Sequence, residues 1–562
     1  MKLTRKRPRA HAFVALAIAA GLALAGCSGE SPNSPNADPS GDAGGSNVVL
    51  SFGKPDGPQT NNSNPFLSSS AARVMGYAYA LYEPLVQVNQ IDPAQDPTPW
   101  LAESWEWNDD YTAITYTVRD DVTWHDGEPL TADDVAFSIQ MRADNEALNA
   151  EALPYSSITT DGNKVTVTFE TGQFTNTFKV YGLFIVPEHI WSTIADPTTD
   201  LNQEPVGSGP YTLTSWTEQA VTLDAYPDYW GGEVAVPQIR YQEFNDNTAL
   251  TNALVAGDVQ WGWTYIANYE EVFTSKDPAY QSWFPSGINA DALWFNTAQG
   301  PFADLNLRKA AAMVLDREAM SVTGTTGAAA PITSVTGLPT AGESYIADKY
   351  KNEQWATDLE GARQLLTDNG YTYDGDALVA PTGEPVSVTL PDPSGWSDYN
   401  ANLQIIADSF RQLGLDAQIN NLPPDQWQEA LNVGQFDAAL HWTDAGATPY
   451  DMYANFMSGS YLAPIGETAV SNFGRFDSPE ATAALTTYAA TSDDAERTAA
   501  LETIETIFVE QIPAVSVLER PSWGQYSEKY YTGWPSATDP YADINMTMPA
   551  ASLILTHLEP VS

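Results

Sequence analysis

The sequence holds one cysteine and five histidines in 562 residues. A single cysteine excludes any disulfide within the chain. The histidines (His11, His125, His189, His441 and His557) are scattered, and no two share metal-ligand spacing. Bases are scarce: 24 Lys and Arg stand against 72 Asp and Glu, a formal charge of −48. A field of that sign repels phosphate backbones and anionic lipid, so nucleic acid is not the expected partner. Beyond the first 25 residues no apolar run approaches the 18 or so residues that a membrane span needs. Catalytic signatures are also missing: no Gly-x-Ser-x-Gly, no phosphate loop and no His-x-x-x-His. Gly207-Ser208-Gly209 does not extend into a dinucleotide fingerprint. No metal, no cofactor and no catalytic residue is therefore expected, and the chain is read as no enzyme. With 72 acids, chance carboxylate pairs are common, so a glycosidase-like pair is the one enzyme alternative that survives.

What is present is a folded composition, with 43% apolar and 17% charged residues, 17 Trp, 27 Tyr and 19 Phe. The length suits two or three lobes rather than one core. Lys2, Arg5, Lys6, Arg7 and Arg9 precede an apolar run from Ala12 to Ala25, too short to span a bilayer and right for a signal-peptide core. It ends in Leu24-Ala25-Gly26-Cys27, which resembles a bacterial lipobox, where cleavage leaves the cysteine as a lipid-modified N-terminus. Residues 1–26 are thus expected to be a lipoprotein signal peptide, with Cys27 the lipid attachment. Their removal leaves 19 bases against 72 acids, a charge of −53. Residues 27–46, rich in Ser, Pro, Gly, Asn and Asp without hydrophobic period, read as a flexible tether with a reach of roughly 25 Å. The chain is then lipid-anchored at the outer face of a cell membrane.

The folded part shows two textures. Thr112 to Val118 and Val165 to Phe169 alternate as strands, and Thr131-Ala-Asp-Asp134 starts a helix between them. Later, Val386 to Leu390 is a strand. Leu403, Ile406, Ala407, Phe410 and Leu413 fall at helical spacing before Gly414, and Leu415, Ala417 and Ile419 alternate again. That is a βαβ unit, expected to be right-handed.

Five segments carry a resemblance. The first is Leu101-Ala-Glu-Ser-Trp105 with Val122-Thr-Trp-His-Asp-Gly-Glu-Pro-Leu-Thr131-Ala-Asp-Asp-Val135-Ala-Phe-Ser138. The second is Pro205-Val-Gly-Ser-Gly-Pro-Tyr211 with Pro227-Asp-Tyr-Trp230. The others are Ala253-Leu254 to Gly257-Asp258-Val259, Asn296 through Leu307-Arg308 to Asp316-Arg317, and Phe436-Asp437 onward to Ile512-Pro513. In this order they resemble the extracellular solute-binding proteins of ABC importers, family 5, the oligopeptide, dipeptide and nickel type. The resemblance implies an α/β fold, a two-lobe periplasmic-binding-protein-like clamp (type II, cluster C) with an extra β-rich inserted domain. Residues 47–86, 203–286 and 508–562 would form lobe one, 87–202 the insert, and 287–507 lobe two. It further implies a monomer that captures a ligand between closing lobes and delivers it to ABC permease and ATPase subunits. A ligand-presenting sensory component would have the same sequence.

Two ligand classes remain open. An oligopeptide needs a carboxylate for its ammonium group. Peptide-binding relatives carry an Asp in the loop that here reads Trp442-Thr-Asp-Ala-Gly-Ala-Thr-Pro449-Tyr450. An ungapped alignment puts Ala445 there, with Asp444 one position away. A β-linked oligosaccharide needs aromatic faces and hydroxyl partners. Trp261 and Trp263, Trp294 with Asn296, Trp396 with Asp398, and Trp442 with Tyr450 are the candidates. Gly395-Trp-Ser-Asp398, Thr448-Pro-Tyr450 and Asn62-Ser-Asn-Pro-Phe66 look like the cello-oligosaccharide-binding branch of the family. The reading leans to oligosaccharide, with Trp261, Trp263, Trp294, Asn296, Trp396, Asp398, Trp442, Asp444 and Tyr450 as the ligand-binding set.

Overall fold

A computed structural model describes residues 48–93 and 95–561. The expected signal peptide, Cys27 and the expected tether lie outside the described residues. Two sheets organise the lobes and a third the insert. In lobe one, seven strands lie in the order Tyr280–Trp283, Gly524–Ser527, Trp261–Gly262, Leu50–Lys54, Gln238–Glu243, Ala220–Ala225, Tyr211–Thr217. Leu50–Lys54 runs parallel to both Gln238–Glu243 and Trp261–Gly262. The apolar residues of these strands converge in one aromatic core: Phe52 stacks on Tyr241 at 4.4 Å and packs at a tilt against Trp261 at 5.0 Å.

In lobe two, Ser286–Phe295 is the central strand between Ala438–Trp442 and Ala514–Pro521, antiparallel to both. Beside them Ser387–Pro393 and Asp416–Leu422 pair in parallel, joined by the helix Ser397–Leu413. This is the expected βαβ unit. The helix buries Leu403, Ile406, Phe410 and Leu413, and Gly414 caps it at φ 103°.

The insert is a four-stranded antiparallel sheet in the order Ala102–Trp107, Ala113–Val118, Lys164–Phe169, Tyr155–Asp161, covered by the helix Ala132–Asp144. That helix starts as the sequence suggested: the Asp134 carboxylate accepts the Thr131 backbone N–H at 2.8 Å. Glu83, fully buried, joins insert to lobe one. One of its oxygens accepts from Trp100 Nε1 (2.8 Å) and Tyr229 OH (2.7 Å), the other from Ser208 Oγ (2.9 Å) and Trp230 Nε1 (2.9 Å).

The chain crosses between the lobes at two adjacent places. One crossing follows Trp283 and enters the lobe-two strand at Ser286; the other leaves that sheet at Pro521 and re-enters lobe one at Gly524. Ser286 faces Pro521, and the Ser522 N–H donates to the Pro285 carbonyl at 2.9 Å. The return therefore comes after Pro521, not at 508. Residues 508–521 belong to lobe two, because Val515, Val517 and Leu518 bury their side chains in its core and their backbone pairs with Ser286–Phe295. Among the described residues no helix is long and apolar enough to cross a membrane, and no three His, Cys, Asp or Glu side chains are placed to hold a metal.

Candidate functional site

The carboxyl ends of the parallel strands in lobe one meet the start of the Ser397–Leu413 helix of lobe two. In open α/β sheets this edge is where ligands bind. Here the lobes touch. The Trp396 indole N–H donates to the Pro55 carbonyl at 3.1 Å, and the Asn247 N–H donates to the Gly395 carbonyl at 3.1 Å. Gly395 has φ +90°, and a Cβ there would stand 2.5 Å from the Asn245 carbonyl oxygen, so only glycine permits this approach. The Asn247 side-chain amide donates to Ser397 Oγ (3.2 Å) and Asp398 Oδ1 (3.3 Å). Tyr265 OH and Thr326 Oγ1 lie 3.1 Å apart across the same junction.

Lobe two presents an aromatic wall. Trp396 lies 6.1 Å from Trp442 and 5.3 Å from Trp427, and Trp427 lies 5.9 Å from Trp442. His441 stacks on Trp442 at 3.9 Å and on Trp427 at 5.2 Å. Burial pushes its imidazole down to about 3, so it is neutral and behaves as a flat packing group. The wall is anchored from behind: Trp427 is 1% exposed, and Trp396 and Trp442 are half-buried on top of it.

Lobe one answers with Trp263, also half-buried, whose indole N–H is enclosed and meets no acceptor in the protein. Between the two faces lies Arg520, one residue before the crossing at Pro521. Its guanidinium sits 4.4 Å from the Trp442 ring and 5.5 Å from the Trp263 ring. It is fixed by Asp291 Oδ1 at 2.8 Å and Tyr399 OH at 3.3 Å, while Tyr399 also donates to Asp291 at 2.8 Å. Asp398, 8% exposed, completes the polar group. Its carboxyl is pushed up to about 6, first by burial and then by the negative charge of Asp291, with Arg520 acting against both.

Of the residues singled out from sequence, the structure gathers Trp263, Trp396, Asp398 and Trp442 at this junction. Trp261, Trp294 and Asn296 lie inside the lobes, which corrects the expectation that they face a ligand. Trp261 is fully buried and donates to the Ile544 carbonyl (2.9 Å). Trp294 is 1% exposed and donates to the His441 carbonyl (3.1 Å). Asn296 is fully buried, and its amide holds the Gly434 and Phe436 carbonyls at 3.0 Å each. Trp261 and Trp294 stand on strand stretches buried on both sides, so an aromatic ring on a strand did not mark a ligand face. Asp444 is bound to Asn455, receiving its amide at 3.0 Å and donating its own N–H at 2.6 Å. Tyr450 lies beneath Lys179 of the insert, 5.5 Å from Nζ to ring centre. Sequence reasoning missed Asp291, Tyr399, Trp427 and Arg520. An acid inside the apolar strand Ala290–Phe295 was a signal that could have found the first.

The family model for the middle region of the bacterial extracellular solute-binding proteins, family 5, matches residues 96–463. The chain belongs to that family. It is 28% identical to Protein XP55 of Streptomyces lividans over 55% of this chain and 56% of that protein, so the match spans little more than half of either. Its fold is that of a mannohexaose-bound periplasmic oligopeptide-binding protein of an oligopeptide ABC transporter from Thermotoga maritima (TM-score 0.83, 22% identity, 92% of this chain and 99% of that one). It is also that of the oligopeptide-binding protein AppA from Bacillus subtilis, solved with a nonapeptide (TM-score 0.77, 19% identity, 92% and 99%).

Proposed function

We propose that this family 5 protein captures a β-linked oligosaccharide between its two lobes and delivers it to an ABC permease. The observation that carries the reading is the gathering of half-buried tryptophans from both lobes around Arg520, whose guanidinium lies 5.5 Å from the Trp263 ring of one lobe and 4.4 Å from the Trp442 ring of the other, with Trp396 beside Trp442. Sugar rings present C–H groups on both faces and hydroxyls at the rim. The enclosed Trp263 N–H and the carboxylate of Asp398 are a donor and an acceptor suited to such hydroxyls. That a protein of the same fold was solved with mannohexaose adds weight. Closing over the ligand presents the shape a transporter recognises. Cys27 anchors the chain to the membrane through lipid, which keeps captured ligand beside the permease.

A second reading is an oligopeptide ligand. Burial, and after it the nearby Asp291 carboxylate, raise the proton affinity of the Asp398 carboxyl, and an ammonium group would be welcome there. The test is a thermal-shift panel of cello-, xylo- and manno-oligosaccharides against di- to pentapeptides. A ligand at one hundred times its dissociation constant adds about 2.7 kcal/mol. A shift with sugars supports the first reading, and a shift with peptides alone overturns it. Reducing ends released from a bound sugar would instead make the protein a glycosidase.

A further inference from the structure

The inserted domain touches lobe two at a second contact, which uses none of the tryptophans of the junction. The insert is bound to lobe one through Glu83 and a shared apolar core, so any contact it makes with lobe two must break when the lobes separate. The contact is made by residues 172–179. Gly172 lies so close to the Ala490 carbonyl that a Cβ would stand 2.4 Å from its oxygen. The Thr175 N–H donates to the Ala489 carbonyl at 3.1 Å, continuing the backbone of one domain onto the other. The Thr175 hydroxyl accepts from Arg497 at 2.8 Å, and the Arg497 guanidinium spans the two domains, 4.0 Å from the Tyr488 ring and 4.9 Å from Phe174. Lys179 reaches across to Asp451 at 2.7 Å, with side chains 24% and 11% exposed. Tyr450 stacks parallel to Tyr488 at 6.3 Å, placing both cations over one aromatic platform.

We propose that residues 172–179 form a latch, in which Lys179 and Thr175 of the insert grip lobe two and bias the clamp towards closure independently of which ligand it holds. Three physical features suit a reversible latch rather than a core. The contacts are polar and cation–π instead of apolar, so separation exposes groups that water can solvate. The partners on lobe two, Asp451, Arg497 and Tyr488, sit on helices that also bury apolar residues in the core of that lobe. The cations come from a chain that has few, and both are spent at this one contact. A latch of this kind adds to affinity by raising the fraction of binding-competent protein, without touching the ligand. It also accounts for Tyr450, which sequence places among ligand residues and the structure places beneath Lys179.

The test uses the full chain carrying Cys27→Ser, with nitroxide labels on Glu103→Cys in the insert and Glu480→Cys in lobe two. Pulsed electron-resonance distances are measured without any ligand. The distribution is expected to contain the separation of this structure. Lys179→Met with Arg497→Met is expected to cut that population at least threefold, and Lys179→Arg to keep it. The charge swap Lys179→Asp with Asp451→Lys is expected to restore more than either single change. Thr175→Ala, which leaves every buried side chain in place, is expected to cut the population by a smaller factor and serves if the double variant misfolds. Distributions that are identical in all variants, or that lack the clasped separation in the unaltered chain, overturn the proposal. The readout needs no ligand, so its failure is separate from that of the sugar reading.

Discussion

Removing Arg520 should destabilise the protein more at high pH than at low pH. The guanidinium is the cation that faces Asp291, and Asp398 shares the same enclosed space. Arg520→Met keeps the length and apolar stem of the side chain but leaves Asp291 without its ion partner. Stranding one member of a buried pair costs about 3–5 kcal/mol, and the lost stacking on Trp442 at 4.4 Å adds about 1 kcal/mol. The pH dependence follows from Asp398, whose folded pKa is raised to about 6 from an ordinary 3.8. A raised carboxyl contributes stability that is fully present below its unfolded pKa and is lost as pH rises through its folded value. Without Arg520 the two acids repel each other with nothing to offset them, so the loss between pH 5 and 8 should deepen. Uptake of one proton by the pair relieves the cost at the acid end. The assay is a double-mutant cycle by urea unfolding at pH 5 and pH 8 with Arg520→Met, Asp291→Asn and both together. The double variant should recover at least 2 kcal/mol relative to additivity at pH 8, and less at pH 5. Additive effects at both pH values would refute the account of this cluster.

Other outcomes follow from single groups. Glu83→Gln presents an amide to donors that each oxygen of Glu83 now accepts, so at least one Trp N–H loses its partner, costing about 1–3 kcal/mol. Burial pushes the Glu83 carboxyl up to about 7, so native stability from this group falls as pH rises from about 4.5 through 7; the deficit of Glu83→Gln by urea unfolding should therefore shrink towards pH 8. Trp427→Ala should cost about 3–5 kcal/mol in stability, and by removing the support of Trp396 and Trp442 it should weaken ligand binding as well, both read by calorimetry. Cys27→Ser should release the protein from the membrane fraction of its host into the medium, measured by immunoblot after fractionation.

The fold was legible where local pattern and burial agree. The βαβ unit of lobe two was readable because the Ser397–Leu413 helix faces the core with one apolar stripe and ends at a glycine. The insert showed as alternation because its sheet has one covered face: Ile114, Tyr116 and Val118 are buried while their neighbours are not. The return crossing was not readable, since Ala514–Pro521 is as apolar as a strand of either lobe and only its pairing assigns it. The site divided along the same line. Trp396 and Trp442, singled out in the sequence as aromatic faces, lie together at the junction. Trp261 and Trp294 looked equivalent but lie on fully covered strands. Arg520 and Asp291 are 229 residues apart, and nothing local couples a base in one strand to an acid in another.

In the proposed function one ligand is held by aromatic side chains from both lobes. Isothermal titration with the oligosaccharide that gives the largest thermal shift tests it, comparing the unaltered protein with Trp263→Ala of lobe one and Trp442→Ala of lobe two. Each change should weaken binding about tenfold or more, equivalent to about 1.4 kcal/mol or more, while the stoichiometry stays at one. Unchanged affinity in both variants, or binding by peptides alone, would contradict it.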